Sequence, residues 1–313
     1  MTVMTSSSSS SRLIDRGFKT LATGAGILIL AALASVAIFL IVQALPALQA
    51  GAGVLGAEVG WFPADKSFLQ VIGPLAFGTL LAAIIALLIA VPISIGVALF
   101  LSHIAPRRLT STLSYLIDLL AAIPSVVYGL WGALWLLPQL YPVWDFLAEN
   151  LGFIPLFSGP AANPPRTILS VAVVLAVMVL PIITSVAREV FAQTPALTQE
   201  AALGLGATKW EMLKMVVLPH GKPGITGAAM LGLGRALGET MAVLMILSPG
   251  LTYSFSVLQA GQHQTISANI AAQFPETNEL GISALIATGL ALFVITLIVN
   301  MLARWVVSRQ ERS

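Results

Sequence analysis

The sequence predicts an all-α membrane protein with six transmembrane helices, and three observations carry that reading. Hydrophobic residues make up 58% of the chain and charged residues only 9%, against roughly 25% charged in a soluble domain. Mean hydropathy is +0.95. The apolar residues gather into six runs, at about 21–45, 71–101, 113–138, 166–187, 223–248 and 281–307, each with the roughly 20 residues that cross a hydrocarbon core.

Each run can be justified in order. Residues 1–20 open with a serine tract too poor in apolar groups to pack, so a disordered, basic start is expected. The run 21–45 exceeds the 7–15 residues of a signal-peptide core and reads as a retained first span. An external loop, 46–70, leads into a core transmembrane domain over 71–308, with 309–313 as a short tail. His103, Pro106, Arg107 and Arg108 make a real loop of the weak break after the second run. Within the runs, Gly73, Pro74, Pro92, Pro124 and Pro181 are kink positions whose freed carbonyls need partners. No internal repeat appears, which argues against an inverted-repeat carrier.

Lys and Arg set the orientation. With the N-terminus in the cytoplasm, Arg12, Arg16, Lys19, Arg107, Arg108, Arg188, Lys209, Lys214, Lys222, Arg304, Arg309 and Arg312 fall inside. Lys66 and Arg166 fall outside, so both termini are expected in the cytoplasm. The external loops are then about 46–70, 139–165 and 249–280. The second should hold a short interfacial helix with Tyr141, Trp144, Phe146, Leu147 and Leu151. The third carries Tyr253, Phe255, His263, Gln264, Phe274, Glu276 and Glu279, polar enough to meet a soluble partner.

Chemistry-bearing constellations are few. There is no cysteine, and His103, His220 and His263 lie far apart without metal-ligand spacing. Gly221-Lys222 lacks the rest of a phosphate-binding loop, so any ATP must be bound by another chain. The costly feature is in the fifth run. Arg235 and Glu239 are four residues apart, one turn on one helix face. A charge at that depth costs about 2.5–3.5 kcal/mol on insertion scales. Two readings stay open: a buried structural ion pair, or an anion site on a pathway. Arg suits an oxyanion because its planar donors form a fork, and a carboxylate can accept the proton that hydrogen phosphate still carries. Asp118, near the start of the third run, has no assigned role.

One internal stretch, Glu200 to Pro219, reads as helix outside the membrane. Thr194 is the expected N-cap, with Pro195 at the first helical position; Gly204 and Gly206 permit a left-handed stop. Thr208 and Glu211 form a capping box for a second helix. Lys209, Glu211 and Lys214 would face water, while Trp210, Leu213, Met215 and Val216 face something apolar. Pro219 should close that second helix.

Glu200-Ala201-Ala202, Gly206 and Val216-Val217-Leu218-Pro219, at this spacing, resemble the EAA loop of bacterial ABC-importer permeases. That resemblance implies a type I importer permease fold with a cytoplasmic coupling helix between the fourth and fifth spans. It implies that Glu200, Ala201, Ala202, Gly206, Leu218 and Pro219 serve ATPase docking. GLGRALGETMAV around Arg235, and AAIPSVVYGLWG from Ala121 to Gly132, are similar to the phosphate-importer (PstC) branch, from about residue 70 onward and including the extra first span. Sulfate and molybdate permeases share the EAA loop but not the RALGET run. The likeness implies that Arg235 and Glu239 lie on a phosphate pathway. It further implies a second permease (PstA-like), an ATPase dimer (PstB-like) and an extracytoplasmic phosphate-binding protein (PstS-like), in a bacterial plasma membrane. ATP would sit on the partner, with no cofactor on this chain and no nucleic acid. The alternatives are a self-contained secondary anion carrier or channel, or an ABC permease for another oxyanion such as molybdate or sulfate.

Overall fold

The computed structural model describes residues 9–310; the remainder of the serine tract, 1–8, and residues 311–313 lie outside the described residues. The described chain is nearly all helix. Helix α1 (Ser9–Gln49) is helical from the serines onward, so 9–20 are not the disordered start expected. Helix α2 (Ala52–Glu58) follows, and α3 (Phe68–Leu99) is extended by a π turn, Phe100–Ile104. Ser67 and Gln70 close a capping box at the start of α3, which satisfies two of its free amide donors. Pro74 and Pro92 are both absorbed inside α3.

Helix α4 (Arg107–Ala121) departs from expectation. The Thr110 hydroxyl donates to the Leu101 carbonyl at 3.2 Å, at the end of α3. Eight residues on, Asp118 accepts from the Ser185 hydroxyl at 2.9 Å and pairs with Arg188 at 3.7 Å, near the end of α7 (Ile168–Ala192). Both ends of α4 are therefore tied to the same end of the bundle, and α4 lies across that end instead of through the membrane. Its sequence suits this. Arg108, Ser111 and Asp118 fall on one side and Leu109, Leu116 and Leu120 on another, the pattern of an interfacial helix. A span over 113–138 is thus corrected. The chain bends by 93° at the break before Ser125, where Pro124 holds an extended backbone that cannot continue a helix.

The crossing arm is α5 (Ser125–Trp131), a π turn at Gly132–Leu136, and α6 (Leu137–Leu151). The helix expected to lie in the interface from Tyr141 is simply the continuation of this arm. Trp144 anchors it by donating from Nε1 to the Ser170 hydroxyl at 2.8 Å, at the start of α7.

Helices α3 and α7 form the centre. The buried small residues Ala82, Ala83, Ala86 and Ala90 of α3 meet Val171, Val174, Leu175, Met178 and Val179 of α7. Without a hydrophobic effect inside lipid, close approach over alanines is what gains dispersion energy. Ser94 adds an interhelical bond to the Leu180 carbonyl at 3.1 Å.

Beyond α7 come α8 (Ala196–Gly204) and α9 (Lys209–Met212), then a π turn (Leu213–Val217) running without interruption into α10 (Leu218–Gly238). Pro219 does not close a helix. The π turn lets the Leu218 amide reach the Leu213 carbonyl five residues back. The wider register carries the helix past a proline that has no amide to give.

Helix α10 ends at Gly238, and α11 (Met241–Ile246) starts after Glu239 and Thr240. A hydrogen-bonded loop, 247–265, leads to α12 (Ile266–Gln273) and α13 (Glu279–Gln310). Asn278 donates to the Glu58 carbonyl at 2.8 Å, which pins the start of α13 to the end of α2. Four helical stretches, Arg16–Gln49, Phe68–Ile104, Ile168–Ala192 and Glu279–Trp305, are long and apolar enough to cross a membrane; the bent pair Arg108–Ala121 and Ser125–Leu151 passes the same test only when taken together, with α5–α6 as its crossing arm. The sixth expected span, 223–248, is the broken pair α10–α11.

The orientation of α4 can be measured. With no cysteine in the chain, single spin labels at Thr112 and Leu119 report membrane depth. The two should sit at the same depth; a shift of ~10 Å between them, as seven residues of a spanning helix would give, would show that α4 crosses.

Candidate functional site

The EAA region is built on the end of the α3–α7 pair. Met212, Leu213 and Val217 are buried against Ala98, Leu99, Ala187 and Phe191, with Ala202 and Leu218 packed alongside. Of the residues expected to dock a partner, Ala202 and Leu218 are thus seating residues, while Glu200, Ala201, Gly206 and Pro219 are exposed. Pro195, not Thr194, is the N-cap of α8, and the Thr194 hydroxyl is buried without a partner among the described residues. Gly206 takes the left-handed turn, with φ of +90°, a conformation that costs a side-chain-bearing residue about 1–2 kcal/mol. Gly204 stays helical.

The Thr208–Glu211 capping box is present. The Thr208 amide and hydroxyl both donate to Glu211 Oε2 at 2.8 Å. These donors, the amide first, hold the Glu211 carboxyl below its usual pKa.

The apolar side of this loop is not where periodicity put it. Leu213 is buried and Val216 is half-buried, but Trp210 and Met215 are exposed at 62% and 70%, beside Leu197 at 79% and Leu205 at 90%. The π turn changes the angular register between 209–212 and 218 onward, which moves Met215 to the outside. The outcome is an apolar surface around the Gly206 turn, open to a further chain.

The second candidate region is the end of α10. Arg235 is half-buried, its Nε is enclosed with no hydrogen-bond partner among the described residues, and the charge lies close enough to act on the Tyr128 phenol. Tyr128 in turn donates to the Leu120 carbonyl at 2.9 Å, at the α4–α5 bend. Glu239 is buried but is not on the face of α10. It has extended backbone (ψ 128°) where the helix stops, and its Oε1 accepts from the Ala242 amide at 3.1 Å, capping α11. Among the described residues, Arg235 and Glu239 form no ion pair. The expectation of one face and one turn fails because Gly238 ends the helix before the second member.

Arg235 opens instead onto a groove of about 950 Å³ between α10 and α13, with no carboxylate in its lining. Gly227 and Gly234 face it with open space where a Cβ would stand. The sequence had no signal for this groove, because α13 belongs to it only through packing.

At the opposite end, His263 and Gln264 are buried and cannot meet a soluble partner. His263 stacks on Phe77 and contacts the Ser254 carbonyl through Nε2 at 2.6 Å; burial holds its pKa down. Tyr253, Phe255, Phe274, Glu276 and Glu279 are exposed there. Among the described residues no cluster of His, Asp and Glu could hold a metal ion.

Comparison with known proteins agrees with this architecture. Residues 90–312 match the family described as binding-protein-dependent transport system inner membrane component. The chain is 45% identical over 295 residues to the phosphate transport system permease protein PstC 2 of Mycobacterium tuberculosis, covering 93% of this chain and 90% of that one. It is 46% identical to PstC of Mycobacterium leprae, with 86% and 85% covered, and 40% identical to PstC of Xylella fastidiosa, with 95% and 92% covered. In fold it resembles the inward-facing MetNI methionine ABC transporter, with a TM-score of 0.52 at 17% identity over 77% of this chain and 95% of that one. An all-helical, multi-span chain with an EAA-type loop seated on its two central helices is therefore a member of the family of binding-protein-dependent transport system inner membrane components.

Proposed function

We propose that this chain is one permease half of an ATP-driven importer for inorganic phosphate. The observation that carries the reading is Arg235, a guanidinium with an unpaired buried Nε that faces a groove free of carboxylates. It stands in a chain 45% identical to a phosphate transport permease. A second permease covers the groove, and the anion passes between the two. An ATPase dimer takes the surface around Gly206, and a phosphate-binding protein delivers to the opposite end. The EAA end then faces the cytoplasm, as do both termini.

The chemistry follows from the two side chains. Arg235 offers a planar fork to tetrahedral oxygens. Glu239 uses Oε1 to cap α11, and its Oε2 accepts no hydrogen bond among the described residues. That free oxygen can accept a hydrogen bond from the P–OH of hydrogen phosphate, a donor that sulfate lacks. The carrier alternative has no use for the exposed apolar surface at the EAA end, and the ion-pair alternative lacks its ion pair.

Four results are expected. The purified chain alone should bind no nucleotide; micromolar ATP binding in a filter assay would overturn the division of labour. Gly206→Val should leave assembly intact but separate ATP hydrolysis from uptake, since a β-branched residue resists the left-handed turn. Normal coupling in that variant removes the loop from the mechanism. Arg235→Gln, and to a lesser degree Arg235→Lys, should abolish uptake in assembled complexes. Glu239→Gln keeps an oxygen for the Ala242 amide, so α11 should form while phosphate uptake falls and sulfate exclusion loosens. If uptake is lost only as assembly is lost, both residues are structural.

A further inference from the structure

The groove beside Arg235 has a second polar wall. Helix α10 runs away from the EAA end, whereas α13 starts at the opposite end beside Glu58 and returns. The two helices are therefore antiparallel. Along α13, Leu297, Asn300 and Arg304 recur at three- and four-residue steps, which puts them on one face, and all three line the groove. The facing wall of α10 is Gly227 and Gly234, with Arg235 at the end farther from the EAA loop. Seven residues of helix separate Leu297 from Arg304, about 10 Å. The groove thus holds one guanidinium toward each end and a carboxamide between them.

Asn300 and Arg304 are both exposed on this chain, within a helix whose neighbours Ile298, Met301 and Leu302 are apolar and exposed as well. An amide turned toward lipid is costly, and polar side chains in spanning helices face a bundle interior or a water-filled path; Arg304 stands one turn beyond it, at the end of the span nearer the EAA loop. Five guanidinium donors and one amide, with no carboxylate in the lining to claim them, suit an oxyanion.

We propose that Asn300 and Arg304 form a second oxyanion contact, which receives phosphate from Arg235 and releases it toward the EAA end. The proposal rests on the phosphate reading above. A phosphate held only by Arg235 would have to leave one strong contact for bulk water. A second donor set in the same groove lets the anion move between two attractive sites in steps.

The test uses the assembled importer in proteoliposomes, with ATP enclosed and the binding protein and labelled phosphate outside. Unlabelled phosphate enclosed with the ATP should inhibit wild-type uptake by occupying the release site. In Arg304→Gln and Asn300→Leu, the enclosed phosphate needed for half inhibition should rise about tenfold, the loss of one charge-assisted contact. Enclosed sulfate serves as the control for ionic strength. Asn300→Leu is the deciding variant should Arg304→Gln fail to assemble, because leucine is suited to either lipid or a packed interface. An inhibition curve unchanged in Asn300→Leu, or no inhibition of the wild type, overturns the proposal. If Arg235→Gln still takes up phosphate, the phosphate-pathway reading itself has failed, a different result from an intact Arg235 requirement with an unmoved inhibition curve.

Discussion

Helices α3 and α7 meet over an alanine stripe, and nearly every other element is positioned by that contact. Ala82, Ala86 and Ala90 let the two backbones come close, and Ser94 fixes their register on the Leu180 carbonyl. In lipid this is the available source of helix attraction, since side chains gain nothing by leaving one apolar medium for another. At one end the pair seats Met212, Leu213 and Val217 of the EAA region and holds α4 through Asp118 and Arg188. Toward the other it carries Trp144 on Ser170, and Thr79 of α3 accepts the Ile266 amide at 3.0 Å. A force applied at the EAA surface therefore has a stiff path to the opposite face.

Along that path the helices are interrupted only where the backbone can be satisfied in another way. Pro219 is passed by a π turn. Pro124 makes the bend at which α4 stops, with Tyr128 donating to the freed region at Leu120. The break after Gly238 is capped by the carboxylate of Glu239. This last break decides the surroundings of both charges. A continuous helix would have set Glu239 against Arg235 as a neutralised pair. Ending the helix one residue earlier gives each charge its own surroundings and leaves the guanidinium facing the groove.

That groove is incomplete in a single chain. Gly227 and Gly234 meet nothing, the Nε of Arg235 has no hydrogen-bond partner among the described residues, and Asn300 of α13 would face lipid. Under the proposed function these three facts have a common resolution, an assembly of two permease halves with the anion path between the chains. The exposed apolar surface around Gly206 answers the same way at the EAA end, since Trp210 and Met215 are stable in contact with another protein rather than with water.

The sequence by itself determined the class, an all-α membrane protein, because composition and run length depend only on the solvent the chain must match. It also determined the Thr208–Glu211 capping box and the left-handed turn at Gly206, since both are set by residues within a few positions. Arg235 stood out for the same local reason, a charge in an apolar run. Tertiary structure decided what depends on distant partners. It turned α4 across the bundle end, because Asp118 finds Arg188 and Ser185 some seventy residues away. It moved Met215 outward and carried the helix through Pro219, because a π turn shifts angular register in a way that no 3.6-residue period foresees. It separated Glu239 from Arg235 by using that carboxylate to cap the next helix. And it brought α13 beside α10, a pairing that neither helix encodes alone, because a helix face takes its meaning from whatever packs against it.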